Sequence, residues 1–234
     1  MNIRNYLSII IILFITTLLI NPIFVNADDW RPYYLIKTNN SAAIYYLGVD
    51  GKRYVFPDEQ TYFSWYRDFS EVEIISEEEL SSHPLAANVT IRPGTKLIKI
   101  QTDPTVYAVE PGGTLKSIVS EENAASLWGA DWATKVVDVP DSFFTNYTVC
   151  DPLTDGEYPA GTLVKAAASP NVYYYDGTDY RIFASEAAFK GNRFSWDNIQ
   201  TVPDTITITA GGDTIAGEEG DITDTSGGCC PGCY

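Results

Sequence analysis

The sequence predicts an α+β protein made of three tandem repeats of about 60 residues, each a small antiparallel β-hairpin or meander carrying one helix. Three observations predict it. Leu35-Ile36-Lys37 returns as Leu97-Ile98-Lys99 and as Leu163-Val164-Lys165, the lysines lying 62 and then 66 residues apart. Ile44-Tyr45 returns as Val106-Tyr107 and Val172-Tyr173 at the same two spacings. Phe69, Trp132 and Trp196 recur 63 and 64 residues apart, each ahead of a short apolar run. A chain that repeats its apolar pattern, instead of placing unique polar residues once, reads as a surface or binding protein more than as an enzyme.

Each unit opens with a strand at the Leu-Ile/Val-Lys signature and passes through a polar turn. Two β-branched and aromatic runs follow around a Gly turn: Asp50-Gly51, Gly112-Gly113 and Asp176-Gly177. That pattern is a hairpin. Asp58, Ser120 and Ser185 then read as helix N-caps. Glu59, Glu121 and Glu186 place negative charge in the first turn, where the helix dipole favours it. Gly129 marks a helix end. Short apolar runs close the units at 72–75, 136–139 and 199–202, and Ser76 with Glu79 forms a capping box for a brief second helix ending at Pro84. The boundaries are 30–92, 93–156 and 157–208, with 209–234 an acidic, Gly-rich segment that ends in a cysteine cluster and is expected to be extended or disordered.

Residues 1–27 read as a secretion signal. Arg4 is their only charged side chain, Leu7 to Ile20 is apolar, and Val25-Asn26-Ala27 offers a small-residue cleavage site. Asn21 and Pro22 stop the run short of the ~20 residues a spanning helix needs. The alternative is an uncleaved anchor, through which alone the chain would touch a membrane. The predicted localisation is secreted, extracellular or cell-surface associated. Losing Arg4 takes the formal charge from −16 to −17. Such a balance argues against nucleic-acid and anionic-membrane partners, which rely on Lys and Arg.

The segment Ile44 to Pro57, followed by Thr61 to Tyr66, resembles tandem repeats of uncharacterised secreted proteins from small-genome candidate-phylum bacteria. Arg92-Pro93-Gly94-Thr95-Lys96-Leu97-Ile98-Lys99, Val139 to Phe144 and Val172 to Gly177 carry the same resemblance, which spans roughly residues 33–225. It is more distantly similar to hairpin repeats attached to wall-associated hydrolases. The resemblance implies a cell-surface, non-catalytic role and supplies no site residue. Where such repeats usually pass through glycine, this chain has Cys150.

Catalytic chemistry finds little support. His83 is the only histidine, so a Ser-His-Asp or Cys-His site would have to use it, and Leu80-Ser81-Ser82-His83-Pro84 shows no nucleophile elbow. No catalytic residue, cofactor or metal ligand set is expected. Asp213, Glu218, Glu219, Asp221 and Asp224 crowd the C-terminal segment without the spacing of a calcium loop and are expected to be solvated. The four cysteines, Cys150, Cys229, Cys230 and Cys233, are expected to form disulfides in an oxidising compartment. Pinning of the tail to the second unit and cross-linking between chains both remain open.

Tyr45, Tyr107 and Tyr173 are the candidate ligand-binding residues, as a shelf on which sugar rings stack. The plainer reading puts them in the cores. Phe69, Trp132 and Trp196 are expected to be core residues. The expected function is a secreted, non-catalytic surface protein binding cell-wall or extracellular polysaccharide. Its alternative is a structural or adhesive protein contacting other surface proteins or forming cross-links through its tail.

Overall fold

A computed structural model describes residues 33–203 and 206–224, which form an α+β arrangement of three five- or four-stranded mixed sheets and short helices. The first unit holds β1 (Leu35–Lys37), β2 (Tyr45–Leu47), β3 (Arg53–Val55), α1 (Glu59–Trp65), β4 (Val72–Ile74), α2 (Glu77–Ser82) and β5 (Leu85–Asn88). The second holds β6 (Leu97–Ile100), β7 (Asp103–Glu110), β8 (Thr114–Ser117), α3 (Glu121–Trp128), β9 (Val136–Val139), α4 (Asp141–Phe144) and β10 (Thr148–Val149). The third holds β11 (Leu163–Ala166), β12 (Tyr173–Tyr175), β13 (Tyr180–Ile182), α5 (Glu186–Gly191) and β14 (Gln200–Val202), followed by α6 (Gly220–Thr223).

The sheets share one strand order: β4-β1-β2-β3-β5, β9-β6-β7-β8-β10 and β14-β11-β12-β13. The expected antiparallel sheets are therefore mixed. The three opening strands of each form an antiparallel meander. The closing strand, β4, β9 or β14, instead runs parallel to the first strand of its unit. The helix is the reason. A strand reached through a helical crossover re-enters the sheet in the direction of the strand it joins.

The caps form where the sequence places them. Asp58, Ser120 and Ser185 accept the backbone N–H of Thr61, Asn123 and Ala188 at 2.7, 3.1 and 3.1 Å. Ser76 does the same for Glu79 at 3.1 Å. Each supplies a partner to an amide that the helix itself cannot satisfy. Gly129 ends α3 with φ 87°, in the left-handed region glycine tolerates.

Strand alternation splits the signature residues between two faces. Leu35, Leu97 and Leu163 join the clusters beneath α1, α3 and α5, while Ile36, Ile98 and Val164 face the other way. That second face is also covered. Leu80 of α2 seals it in the first unit, and Phe143 and Phe144 of α4 pack there in the second. Among the described residues after β14, no helix of the third unit precedes α6. That unit's Val164, Tyr175 and Val202 share one cluster with Ala124, Leu127 and Trp128 of α3.

The segment expected to be extended is folded as far as residue 224. Parallel bridges pair Tyr180 with Ala210 and Phe183 with Ile215, so 210–215 takes the edge beside β13. Ile215 and Ile222 are buried against Phe189 and Tyr174. Asn192 donates to Gly217 O at 2.7 Å and accepts the Glu219 N–H at 2.9 Å. Two isoleucines and these amide bonds anchor a stretch whose composition alone reads as unstructured.

Arg92 joins the first unit to the third. It is buried, and its guanidinium donates to Arg193 O at 2.8 Å and Asn192 O at 2.7 Å. It lies 4.0 Å from the Phe194 ring centroid and 5.1 Å from that of Trp65. Desolvation by burial holds its pKa down, at about 10.

Candidate functional site

An open groove of about 870 Å³ lies against the first sheet. Ile44, Val55 and Phe56 from the hairpin, Val72 and Ile74 of β4, and Phe143 of α4 line it. Tyr62 of α1 and Phe69 flank it, and Lys37, Asp58, Glu59 and Asn88 supply polar groups. Apolar walls with a few polar groups are the usual make-up of a ligand cleft.

Phe69 is 52 % exposed. One face of its ring stacks on Tyr62 at 4.8 Å and 29°, and Phe63, also exposed, stands 5.4 Å away. Trp196 repeats the arrangement in the third unit. It is 45 % exposed and stacks on Phe189 at 4.0 Å and 17°. Trp132 packs against the cluster shared by the second and third units. The expectation that Phe69, Trp132 and Trp196 fill the cores is thus corrected for Phe69 and Trp196. They stand in the link between helix and closing strand, outside the layer that both helix and sheet cover, so a helix ring backs only one side.

The tyrosines behave in the opposite way. Tyr107 is 9 % exposed, packed with Ile98, Leu115 and Val139 and 5.8 Å from the Phe144 ring. Tyr45 and Tyr173 are half-buried. Tyr45 packs on Ile36, Leu47 and Leu80 with the Arg53 guanidinium 5.3 Å from its ring centroid, and Tyr173 packs on the Trp128 cluster. Three separate clusters hold the three rings, and no shared shelf forms. The rings lie on sheet faces that Leu80 of α2, Phe144 of α4 and the Trp128 cluster cover, in line with the plainer core reading.

Cys150 follows β10 and is disulfide-bonded. Cys229, Cys230, Cys233 and the signal segment 1–27 lie outside the described residues. The C-terminal acids are not simply solvated. Glu219 accepts two bonds from Arg181 at 2.8 and 2.9 Å, and Glu218 pairs with Arg193 at 3.1 Å. His83 ends α2, its backbone N–H closing on Leu80 O at 3.3 Å. Among the described residues no group of three or more His, Cys, Asp or Glu converges to hold a metal ion, and no helix is long and apolar enough to cross a membrane.

Sequence reasoning missed Tyr66, Arg92 and Arg193, which meet where the first and third units touch. Only Arg193 carries a local oddity, a φ of 59°, and nothing in the sequence announces it. No protein-family model, curated protein or solved structure matches the chain.

Proposed function

We propose that the three sheet-and-helix units are tandem copies of one module, and that the chain is a secreted, non-catalytic surface protein binding cell-wall or extracellular polysaccharide. The shared strand order, the recurring N-caps and the resemblance to secreted bacterial repeats support this reading. The observation that carries it is the Phe69 ring, half exposed at the groove and backed by Tyr62. Sugar rings present C–H faces that pack on such rings, and hydroxyls that Glu59, Asn88 and Lys37 can bond. The formal charge of −17 without the signal repels acidic polymers, so the ligand is an uncharged glycan.

The test is retention of the purified chain on chitin, cellulose and whole cell-wall preparations. Phe69→Ala is expected to weaken retention while leaving the fold intact, because the ring is half exposed. Retention on none of these supports would overturn the reading. The second reading, contact with other surface proteins, is favoured by exposed Ile74 and Leu85 on the outer strands β4 and β5. Concentration-dependent assembly in sedimentation would favour it over glycan binding.

A further inference from the structure

A second cleft, about 210 Å³, lies where the end of α1 meets the end of α5. Tyr66, Arg67, Asp68 and Glu71 line it from the first unit, Lys190 and Arg193 from the third. In a chain of strong negative charge, three cationic side chains converge here against two carboxylates. Part of that charge is engaged: Arg67 donates to Phe194 O at 3.1 Å, and Lys190 pairs with Glu186 at 2.6 Å. Arg193 meets Glu218 at 3.1 Å and Glu71 at 3.7 Å.

Of the five buried side-chain polar atoms without a partner among the described residues, two belong to residues that line this cleft. One is the Tyr66 hydroxyl, on a residue only 5 % exposed, and the other is Arg193 Nη1. Leaving a buried donor unsatisfied costs roughly 1–3 kcal/mol, so such groups are rare unless something else meets them. Both atoms belong to residues lining one cleft, both can donate, and the Arg193 guanidinium lies 5.4 Å from the Tyr66 ring centroid. An acceptor-rich anion is the kind of group that both donors lack.

We propose that this cleft binds a small oxyanion, the carboxylate or phosphate group of a low-molecular-weight solute. The volume admits a group of that size. The site is separate from the Phe69 groove, and the proposal does not rest on the polysaccharide reading.

The experiment is thermal unfolding of the purified chain in inorganic phosphate and in glucuronate, each matched to sodium chloride at equal ionic strength. The expected result is a saturable rise in Tm above the chloride control. A rise with phosphate alone, with glucuronate alone or with both identifies which oxyanion the cleft accepts, and each supports the proposal. Tyr66→Phe removes only the orphan hydroxyl. It is expected to raise Tm in chloride, since an unsatisfied group is lost, and to abolish the anion-specific rise. Arg67→Gln, at an exposed position, is expected to weaken apparent affinity roughly tenfold while the chain stays folded. No saturable rise over chloride, or an equal rise in Tyr66→Phe, would overturn the proposal and leave a cleft filled by water.

Discussion

Gly94 and Gly161 back onto each other. A Cβ on Gly94 would stand 2.3 Å from Gly161 O, and one on Gly161 would stand 2.4 Å from Pro93 Cβ. The two glycines hold equivalent places ahead of β6 and β11. Their N–H groups donate to Val109 O at 3.1 Å and Tyr175 O at 2.7 Å, and their φ values are 69° and 95°. Tyr33 fills the same place ahead of β1, donating to Leu47 O at 2.8 Å with φ 75°. A left-handed residue thus precedes β1, β6 and β11, and the close approach of Gly94 and Gly161 additionally demands that two of the three lack a side chain.

Alanine at Gly94 or Gly161 is therefore expected to destabilise by more than the ~1 kcal/mol that a left-handed alanine alone costs. Gly156→Ala is the control. Its φ is 76° with nothing within 4 Å of an added Cβ, so only that conformational cost applies. Urea unfolding of the three variants separates clash from strain.

Arg92→Met keeps the length of the side chain and strands the carbonyls of Asn192 and Arg193. A loss of about 2–4 kcal/mol is expected in urea unfolding. Arg92→Lys is expected to recover little, since an ammonium lacks the planar fork that reaches both carbonyls and stacks on Phe194.

Ile215→Ala tests whether the C-terminal segment belongs to the third unit's core. Its side chain is fully buried with Phe189 and Phe194. A destabilisation of about 2–5 kcal/mol is expected, the range for truncating a buried isoleucine. A change within ~0.5 kcal/mol would mean that the segment lies loose on the surface.

Stability is expected to fall on the alkaline side. Burial pushes the Tyr66 phenol up to about 12, the Arg193 and Arg92 guanidinium groups offsetting part of the rise. Burial likewise pushes Tyr147 up to about 12, offset by the N–H of Ile91 that its hydroxyl accepts at 3.0 Å. Unfolded phenols ionise near 10. The folded state therefore binds more protons between the two values. The stability tied to these groups is complete below pH about 10 and lost as pH rises to about 12. Tyrosinate absorbance should rise together with loss of structure, as one cooperative step. A gradual rise with the fold intact would contradict the burial of these rings.

Ser185→Ala is expected to cost about 1 kcal/mol, because its hydroxyl caps the six-residue α5 through the Ala188 N–H. Chemical denaturation of this single variant checks the cap.

Local signals were legible in the sequence. Caps, Gly turns and the Leu-Ile/Val-Lys strands depend on neighbours a few residues away, and they form where the residues place them. The recurring Leu-Ile/Val-Lys pattern also marks the first strand of each of the three sheets. Tertiary structure decided which rings are exposed. Covering both faces of each sheet buried Tyr107 and half-buried Tyr45 and Tyr173, whereas Phe69 and Trp196 in the links kept one face open. It also decided that Ile215 belongs to a core and that Tyr66, Arg92 and Arg193 share a seam. Those outcomes depend on contacts between residues about 30 to 130 positions apart, which a local reading of propensity and periodicity does not reach.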